Sequence, residues 1–307
     1  MSDYWFCHVA HRHKSCQASS ERKEPGPTMM DCEPISHDSF VAQLLSNASD
    51  ARFWNLAQGG KDHFAVDRML MHGVKEIAPN FGDLAVASEG FRLRACQYLT
   101  GTTGIAQFID CGPGLPIGRR VHEVVQAINP ATKVLYVDND PEVLAHAHSF
   151  VTANKQVRVV DGDIFTPDDL LESKEVSTFI DWSEPVAIIQ TATLHHRSGS
   201  ASDVARIMQT YVDIAAPGSC TVVSHFLDPG DVASGTLRRI EKHLLDSSFG
   251  TGWFRTLDEI RTMFPGQRLL NPGVVPCHQW PNTETEATSW VQGCVVGGIG
   301  QKLTCTP

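Results

Sequence analysis

From residue 105 onward the chain repeats one rhythm: a short apolar run ending on a polar residue, then a loop, then an amphipathic stretch. The runs are IAQFID (105–110), KVLYVD (133–138), VRVVDGD (157–163), PVAIIQ (185–190) and CTVVSHF (220–226). None alternates strictly between apolar and polar residues, so each reads as a strand covered on both faces. Between them GRRVHEVVQAI, DPEVLAHAHSFV and SDVARIMQTYVDIA read as helices, the second with an acidic first turn that suits a helix N-terminus. Buried strands alternating with helices predict a mainly parallel sheet in a three-layer α/β/α sandwich. The end differs. QRLLNPGVV and WVQGCVVGGIG have no crossover-length helix between them, which predicts a hairpin-like pair and about seven strands in all, one antiparallel.

Upstream, three segments read as helices and predict a helical cap over residues 36–104: HDSFVAQLLSN, HFAVDRMLMHGVKEIAP and DLAVASEGFRLRACQYL. In the second, Phe64, Met69 or Leu70, and Val74 fall near helical spacing. Residues 1–35 are polar and without period, and are expected to be a disordered tail preceding the cap and a 105–307 core. Cys7, His8, His11, His13 and Cys16 carry zinc-ligand chemistry there, but their spacing fits no compact zinc motif, and no metal is expected. Met29 and Met30 open a second reading in which residues 1–28 are an upstream extension.

Composition limits the partners. A net charge of -10 without a long Lys/Arg run disfavours a nucleic-acid backbone as ligand. No apolar run approaches the roughly 18–20 residues of a membrane span, and the N-terminus lacks a signal peptide's apolar core. Nine cysteines without a C-x-x-C pair suggest small buried hydrophobes rather than a disulfide framework. A cytoplasmic protein is expected; its oligomeric state is not legible.

The first strand runs into FIDCGPGLP (108–116). In open α/β sheets ligands bind at the carboxyl ends of strands, where strand order reverses. Gly112 and Gly114 remove side chains where backbone must approach a ligand. The dinucleotide fingerprint G-x-G-x-x-G fails here, because Ile117 holds the third glycine's place. No Walker G-K-[ST] follows either. Acids stand at three successive strand ends, at Asp110, Asp138 and Asp163. Singly, each is a turn former or helix cap.

D-x-G-x-G resembles motif I of class I S-adenosylmethionine-dependent methyltransferases. Together GGKDHFAVDR (59–68), FIDCGPGLPIGRRVHEVVQ, VLYVDNDPEVLAHA and LHHR resemble the actinobacterial S-adenosyl methyltransferase family once catalogued as a domain of unknown function. The resemblance covers roughly residues 36–300. It departs at RFWNLAQGGKDHF, which lacks a tyrosine-rich approach, and at Cys111, where small aliphatic residues are common. It implies a Rossmann-like methyltransferase sheet and S-adenosyl-L-methionine as cofactor. The implied cofactor residues are Gly59, Gly60, Lys61, Asp110, Cys111, Gly112, Gly114, Asp138, Asn139, Asp163, Ile164 and Gln190. Among these, Asp138 is expected on the ribose hydroxyls, Asp163 near the adenine amine, Ile164 on the purine face and Lys61 at the methionine carboxylate.

QTATLHHR (190–197) follows the fourth strand, beside the cofactor's reactive end in this fold. That makes His195 and His196 the candidate bases, since imidazole suits proton transfer at neutral pH. His225 is a second candidate and His63 a third; Trp54, Phe64 and Trp253 are candidates for an apolar acceptor pocket. Each also has a plain reading as cap, loop bond or core residue. The expected function is methyl transfer to a small molecule. Three other readings stay open: a catalytically silent nucleoside-binding protein, a nicotinamide-dependent oxidoreductase, and nucleic-acid methylation, for which no N-P-P-[YF] motif is present.

Overall fold

A computed structural model of the chain describes residues 45–151 and 154–303. The tail expected over 1–35, its Cys/His cluster and most of the helix expected over 37–47 lie outside the described residues. Of the described residues, 45–46 are helical, and those from Ala48 onward form one compact unit.

That unit opens with three helices. Ser49 caps α1 (Asp50–Ala57), its hydroxyl accepting the Arg52 amide at 3.4 Å. At the start of α2 (Ala65–Ile77) Asp67 turns back to accept the Phe64 amide at 2.7 Å. The buried stripe of α2 is Leu70, Met71 and Val74, whereas Met69 is 75% exposed, so Leu70 rather than Met69 continues the helical spacing. Phe81, Leu84, Ser88, Phe91 and Ala95 line the buried side of α3 (Phe81–Tyr98), which widens into a π turn over Leu99–Thr103.

Strand and helix then alternate: β1 (Gln107–Cys111), α4 (Val121–Gln126), β2 (Lys133–Asp138), α5 (Pro141–Val151), β3 (Val157–Asp161), α6 (Pro167–Glu172), α7 (Lys174–Ser177) and β4 (Ala187–Thr191). They are followed by α8 (Ala201–Ile214), β5 (Cys220–Phe226), α9 (Ser234–Leu245), α10 (Leu257–Arg261), β6 (Gln267–Leu269), β7 (Val275–Pro276) and β8 (Val295–Lys302). The sheet order is β3-β2-β1-β4-β5-β8-β6, with β7 also on β8. β1 to β5 are mutually parallel, and β8 runs antiparallel to β5, β6 and β7. The main path thus has seven strands with one reversed, as the sequence predicts. The eighth strand arises because a turn at 271–272 splits QRLLNPGVV into β6 and β7.

Period-two alternation divides the strands between two cores. Phe108, Ile189 and Phe226 face α1, α2, α3, α4 and α9, while Ile109, Ile188 and Val223 face α6, α8 and α10. Each such side chain, fully buried, contributes roughly 1.5–3 kcal/mol of hydrophobic stabilisation. This two-sided burial fixes register, because a one-residue slip would turn Asp110 and Ser224 onto the opposite face. Strand order reverses between β1 and β4, so the loops leaving those strands diverge and open a crevice at their carboxyl ends.

Candidate active site

The glycine loop begins where β1 stops. The Gly112 amide donates to the Val137 carbonyl at 2.8 Å, which holds the loop against β2. Gly112 and Gly114 have φ of +71° and +67°, backbone that L side chains rarely adopt. A Cβ on Gly112 would lie 2.6 Å from Thr193 Cγ2 and 3.8 Å from Ile164 Cδ1, so the ends of β1, β3 and β4 meet there. A Cβ on Gly114 would meet nothing within 4 Å: Gly114 borders open space.

At the end of β2, Asp138 is half-buried. Its Oδ1 accepts the amides of Asn139 and Asp140, each at 2.9 Å, and the Gly114 amide also points at the carboxylate. Burial, reinforced by the Asp140 charge, pushes its pKa up to about 7 against the pull of these amides. Asn139 itself is exposed and meets Asp138 through its backbone. Asp163 forms a turn, its Oδ1 accepting the Phe165 amide at 2.8 Å, and the Ile164 carbonyl accepts from the Tyr211 hydroxyl at 2.8 Å.

Asp110 and Cys111 point to opposite faces. The Cys111 thiol lies 4.0 Å from the Tyr211 hydroxyl under α8, and burial pushes its pKa up. Only the Cys111 backbone adjoins the glycine loop. Asp110 faces α3, where Arg92 donates to its Oδ2 at 2.7 Å and grips both oxygens of Glu89 at 2.7 and 2.9 Å. Burial raises Asp110 to about 6 despite Arg92, and its buried Oδ1 has no hydrogen-bond partner among the described residues.

The segment after β4 is strained. Ala192 has φ of +56°, the one non-glycine residue among the described residues with positive φ. Its amide donates to Ser224 Oγ at 2.9 Å, and Ser224 meets Ser88 of α3 at 2.7 Å. Gln190 is buried and accepts the Thr193 hydroxyl at 2.7 Å. The chain then presents His195 on the α1 side of the sheet. Its ring stacks on Phe226 at 3.8 Å between centroids and stands 5.6 Å from the Trp54 ring. Among the described residues, neither ring nitrogen of His195 has a hydrogen-bond partner, nor has the buried Trp54 Nε1. Burial, then His196, His225 and Arg255, hold His195 well below its ordinary pKa, so it is neutral.

The other histidines are engaged. His196 Nδ1 lies 2.8 Å from Thr251 Oγ1 and 3.4 Å from Asp50 Oδ2. His225 is committed at both nitrogens: Nδ1 donates to the Phe226 carbonyl and Nε2 accepts from Arg255 Nη1, each at 2.8 Å. Burial and Arg255 lower its pKa to about 3. His63 pairs with Arg68 at 3.2 Å. The Trp253 amide donates to the His195 carbonyl at 2.9 Å, and the Phe64 ring sits under Arg52 at 4.6 Å.

α1 closes against these loops. Ala51 packs with Leu115 of the glycine loop and Val143 of α5. Ser49 Oγ donates to Asp140 at 2.9 Å, and buried Arg52 joins Asp67 at 2.7 Å to Glu142 at 2.6 Å. The turn after α1 is built for the backbone. Gly59 is left-handed, and a Cβ on Gly60 would lie 2.2 Å from Asn55 Oδ1, the atom that accepts the Asp62 amide. Lys61 is exposed: its carbonyl accepts the His63 amide at 3.1 Å, and its ammonium has no polar partner among the described residues.

Sequence reasoning missed Arg92, Thr193 and Arg255. Arg255 lies 30 residues beyond the histidine it binds, and Arg92 precedes Asp110 by 18. No local pattern marks either, although an arginine inside the aromatic run GWFRT is a weak signal for Arg255. A groove of about 410 Å³, lined by Thr103, Gln107, Lys133, Asp181, Gly218 and Gln301 among others, lies at the opposite edge of the parallel strands. Among the described residues no metal-binding group of His, Cys, Asp or Glu occurs, and no helix is long and apolar enough to cross a membrane.

Comparison with known proteins agrees with this arrangement. The family pattern of S-adenosyl methyltransferases matches residues 42–303. The crystal structure of a proposed methyltransferase from Thermobifida fusca is 31% identical, covers 87% of this chain and 99% of its own, and superposes with a TM-score of 0.80. A DUF574 family protein from Streptomyces avermitilis is 25% identical over 83% of this chain and 98% of its own, with a TM-score of 0.77. No curated protein matches. The chain belongs to the S-adenosyl methyltransferase family, and it is an S-adenosylmethionine-dependent methyltransferase on a Rossmann-like sheet.

Proposed function

We propose that the chain methylates a small molecule held between α1 and the ends of β4 and β5, with His195 taking the proton that the acceptor releases. When bound, S-adenosylmethionine supplies an activated methyl group on a sulfonium. The residues present fit that cofactor. The buried, unpartnered Oδ1 of Asp110 suits the ammonium of its amino-acid tail, and the open space at Gly114 suits a chain passing close to the backbone. Gly112 keeps that backbone free of side chain. Asp138 offers a carboxylate to the ribose hydroxyls, with Asn139 beside it. Ile164 packs on the purine, with Asp163 near its amine. Gln190 holds Thr193 at the floor of the crevice, and Lys61, with Gly59 and Gly60 shaping its turn, reaches for the tail carboxylate.

One observation carries the acceptor reading. His195 and Trp54 together leave three polar nitrogens unpartnered inside an aromatic enclosure, a costly arrangement for groups that serve packing alone. A small acceptor with matching polar atoms satisfies them; a macromolecular chain has no comparable access to a buried ring. A neutral imidazole is the proton-accepting form, and His195 is neutral. His196, bound to Thr251 and near Asp50, is the less available of the pair.

The test is turnover of His195→Gln and His196→Gln over a panel of small hydroxyl and amine acceptors, with S-adenosylhomocysteine affinity as control. Loss of a base costs about 10²–10⁴-fold in rate. His195→Gln is expected to lose that much with cofactor affinity unchanged. Full turnover in His195→Gln, or loss of cofactor binding, contradicts the assignment.

A further inference from the structure

Arg255 is 4% exposed and, among the described residues, has no carboxylate in salt-bridge contact. A buried guanidinium without a counter-ion is costly unless its donors are used. Here they are. Nη1 donates to the Leu194 carbonyl at 3.3 Å and to His225 Nε2 at 2.8 Å. Nη2 donates to the Arg197 carbonyl at 2.8 Å and the Gly199 carbonyl at 3.4 Å. Three of these four acceptors are backbone carbonyls of the segment that carries His195 and His196. Arg255 is itself anchored to the sheet: its amide donates to the Phe226 carbonyl at 3.2 Å and its carbonyl accepts the Asp228 amide at 2.8 Å. The same stretch fixes the His195 carbonyl through the Trp253 amide and stacks Phe254 on Phe226 at 4.7 Å.

We propose that Arg255 is the positioning residue for His195: by clamping the 194–199 segment and the His225 ring, it holds the His195 imidazole stacked on Phe226 and aimed at the acceptor. This deepens the reading of His195 as the acceptor-side base and rests on it. His225, placed at a strand end like a candidate base, is in this account part of the clamp. Its Nδ1 proton is committed to the Phe226 carbonyl, which leaves Nε2 as the acceptor that Arg255 requires. A lysine is a poor substitute, because one ammonium cannot span four acceptors that the planar fork reaches together.

The charged and titratable groups facing His195 are His196, His225 and Arg255. Asp50 faces His196, and Glu241 and Glu259 face Arg255. Removing the guanidinium therefore removes a positive charge beside His195 and loosens its burial. Both changes raise its pKa toward the ordinary value of about 6.5.

The experiment is imidazole NMR of the full-length protein, free and with S-adenosylhomocysteine. The ring signals of His195 are assigned by their loss in His195→Gln and followed from about pH 5 to 8, the range in which an ordinary histidine titrates. In the wild type they are expected to be ring-current shifted by Phe226 and not to titrate. In Arg255→Met they should move toward free-imidazole positions and titrate, with S-adenosylhomocysteine affinity within about twofold of wild type. Arg255→Lys should displace them part of the way, and it carries the test if Arg255→Met fails to fold. Wild-type ring signals in either variant overturn the proposal, and so does a loss of cofactor affinity that accompanies the shift. The acceptor reading fails separately: full turnover in His195→Gln sinks it, while the ring signals still report on Arg255.

Discussion

The two glycines of the loop separate folding from binding. Both have φ near +70°, so alanine at either position adopts backbone that costs an L residue roughly 1–2 kcal/mol, partly offset by about 0.4–1 kcal/mol of lost unfolded-state entropy. For Gly114→Ala that is nearly the whole cost, because its Cβ meets nothing within 4 Å. For Gly112→Ala the Cβ also lands 2.6 Å from Thr193 Cγ2. Thr193 cannot swing away freely, since its hydroxyl is tied to Gln190 at 2.7 Å. Overpacking of this kind adds about 1–3 kcal/mol. Gly112→Ala should therefore melt below Gly114→Ala, by a few degrees at roughly 2 °C per kcal/mol in a large domain. Affinity should also respond: Gly114→Ala, the less destabilised of the two, fills the space proposed for the cofactor tail and should weaken S-adenosylhomocysteine binding at least about tenfold, or 1.4 kcal/mol. Thr193→Ser removes Cγ2 and should recover much of the stability lost in Gly112→Ala, a coupling of about 0.5–3 kcal/mol. Thermal melts and calorimetric titration read both. Equal stability of the two variants, or wild-type affinity in Gly114→Ala, would refute the reasoning.

Asp138→Ala should weaken S-adenosylhomocysteine binding by roughly ten- to a few hundred-fold, since hydrogen bonds to a charged group contribute about 1.5–3 kcal/mol; Asp138→Asn should cost less. The alanine variant should also lose roughly 1 kcal/mol of stability for each of the Asn139 and Asp140 amides it leaves unbound, so a large affinity loss with Asp138→Asn at full stability is the informative result, and unchanged affinity in both variants makes Asp138 a turn residue only. In the proposed site the ribose hydroxyls donate to the charged carboxylate, and Asp138 is raised to about 7, so affinity should climb as pH rises from about 6 to 8, with protons released on binding; calorimetry in two buffers of different ionisation enthalpy reads this, and a flat profile, or one that persists in Asp138→Asn, contradicts it. Ala192→Gly relieves φ of +56° and should leave melting temperature unchanged or raise stability by up to about 1 kcal/mol, whereas a clear loss would mean that this backbone is not strained.

What the sequence discloses here is what local pattern encodes. The five parallel strands are legible because each is a short, mostly apolar run; β1, β4 and β5 are buried throughout, whereas the edge strand β3 carries Arg158 and is only partly buried. α5 and α8 are legible because their periodicity and starts agree. The short β7 is not: two residues after a turn carry no period of their own. Asp110 and Asp138 are legible as positions, since each breaks an apolar run near a carboxyl end, whereas β3 ends at Asp161 and Asp163 lies two residues beyond it. Their environments are not, because those depend on contacts distant in sequence. Asp110 meets Arg92 from α3, and Asp140 meets Ser49 across 91 residues. The histidines show the same limit. His195, His196 and His225 are equivalent as letters near strand ends. Only the fold distinguishes a ring with no partner from one bound to Thr251 and another held between Phe226 and Arg255.

The most direct test of the whole account is a crystal structure of the full-length protein with S-adenosylhomocysteine. The account predicts the ribose on Asp138, the adenine against Ile164, the amino-acid tail along Gly112 and Gly114 with its ammonium on Asp110 Oδ1, and the sulfur directed toward the space between Trp54 and His195. A ligand seated in the groove lined by Thr103, Gln107 and Lys133 would contradict it. So would a sulfur turned away from His195 toward the α8 face, which would leave the unpartnered imidazole without a part in methyl transfer.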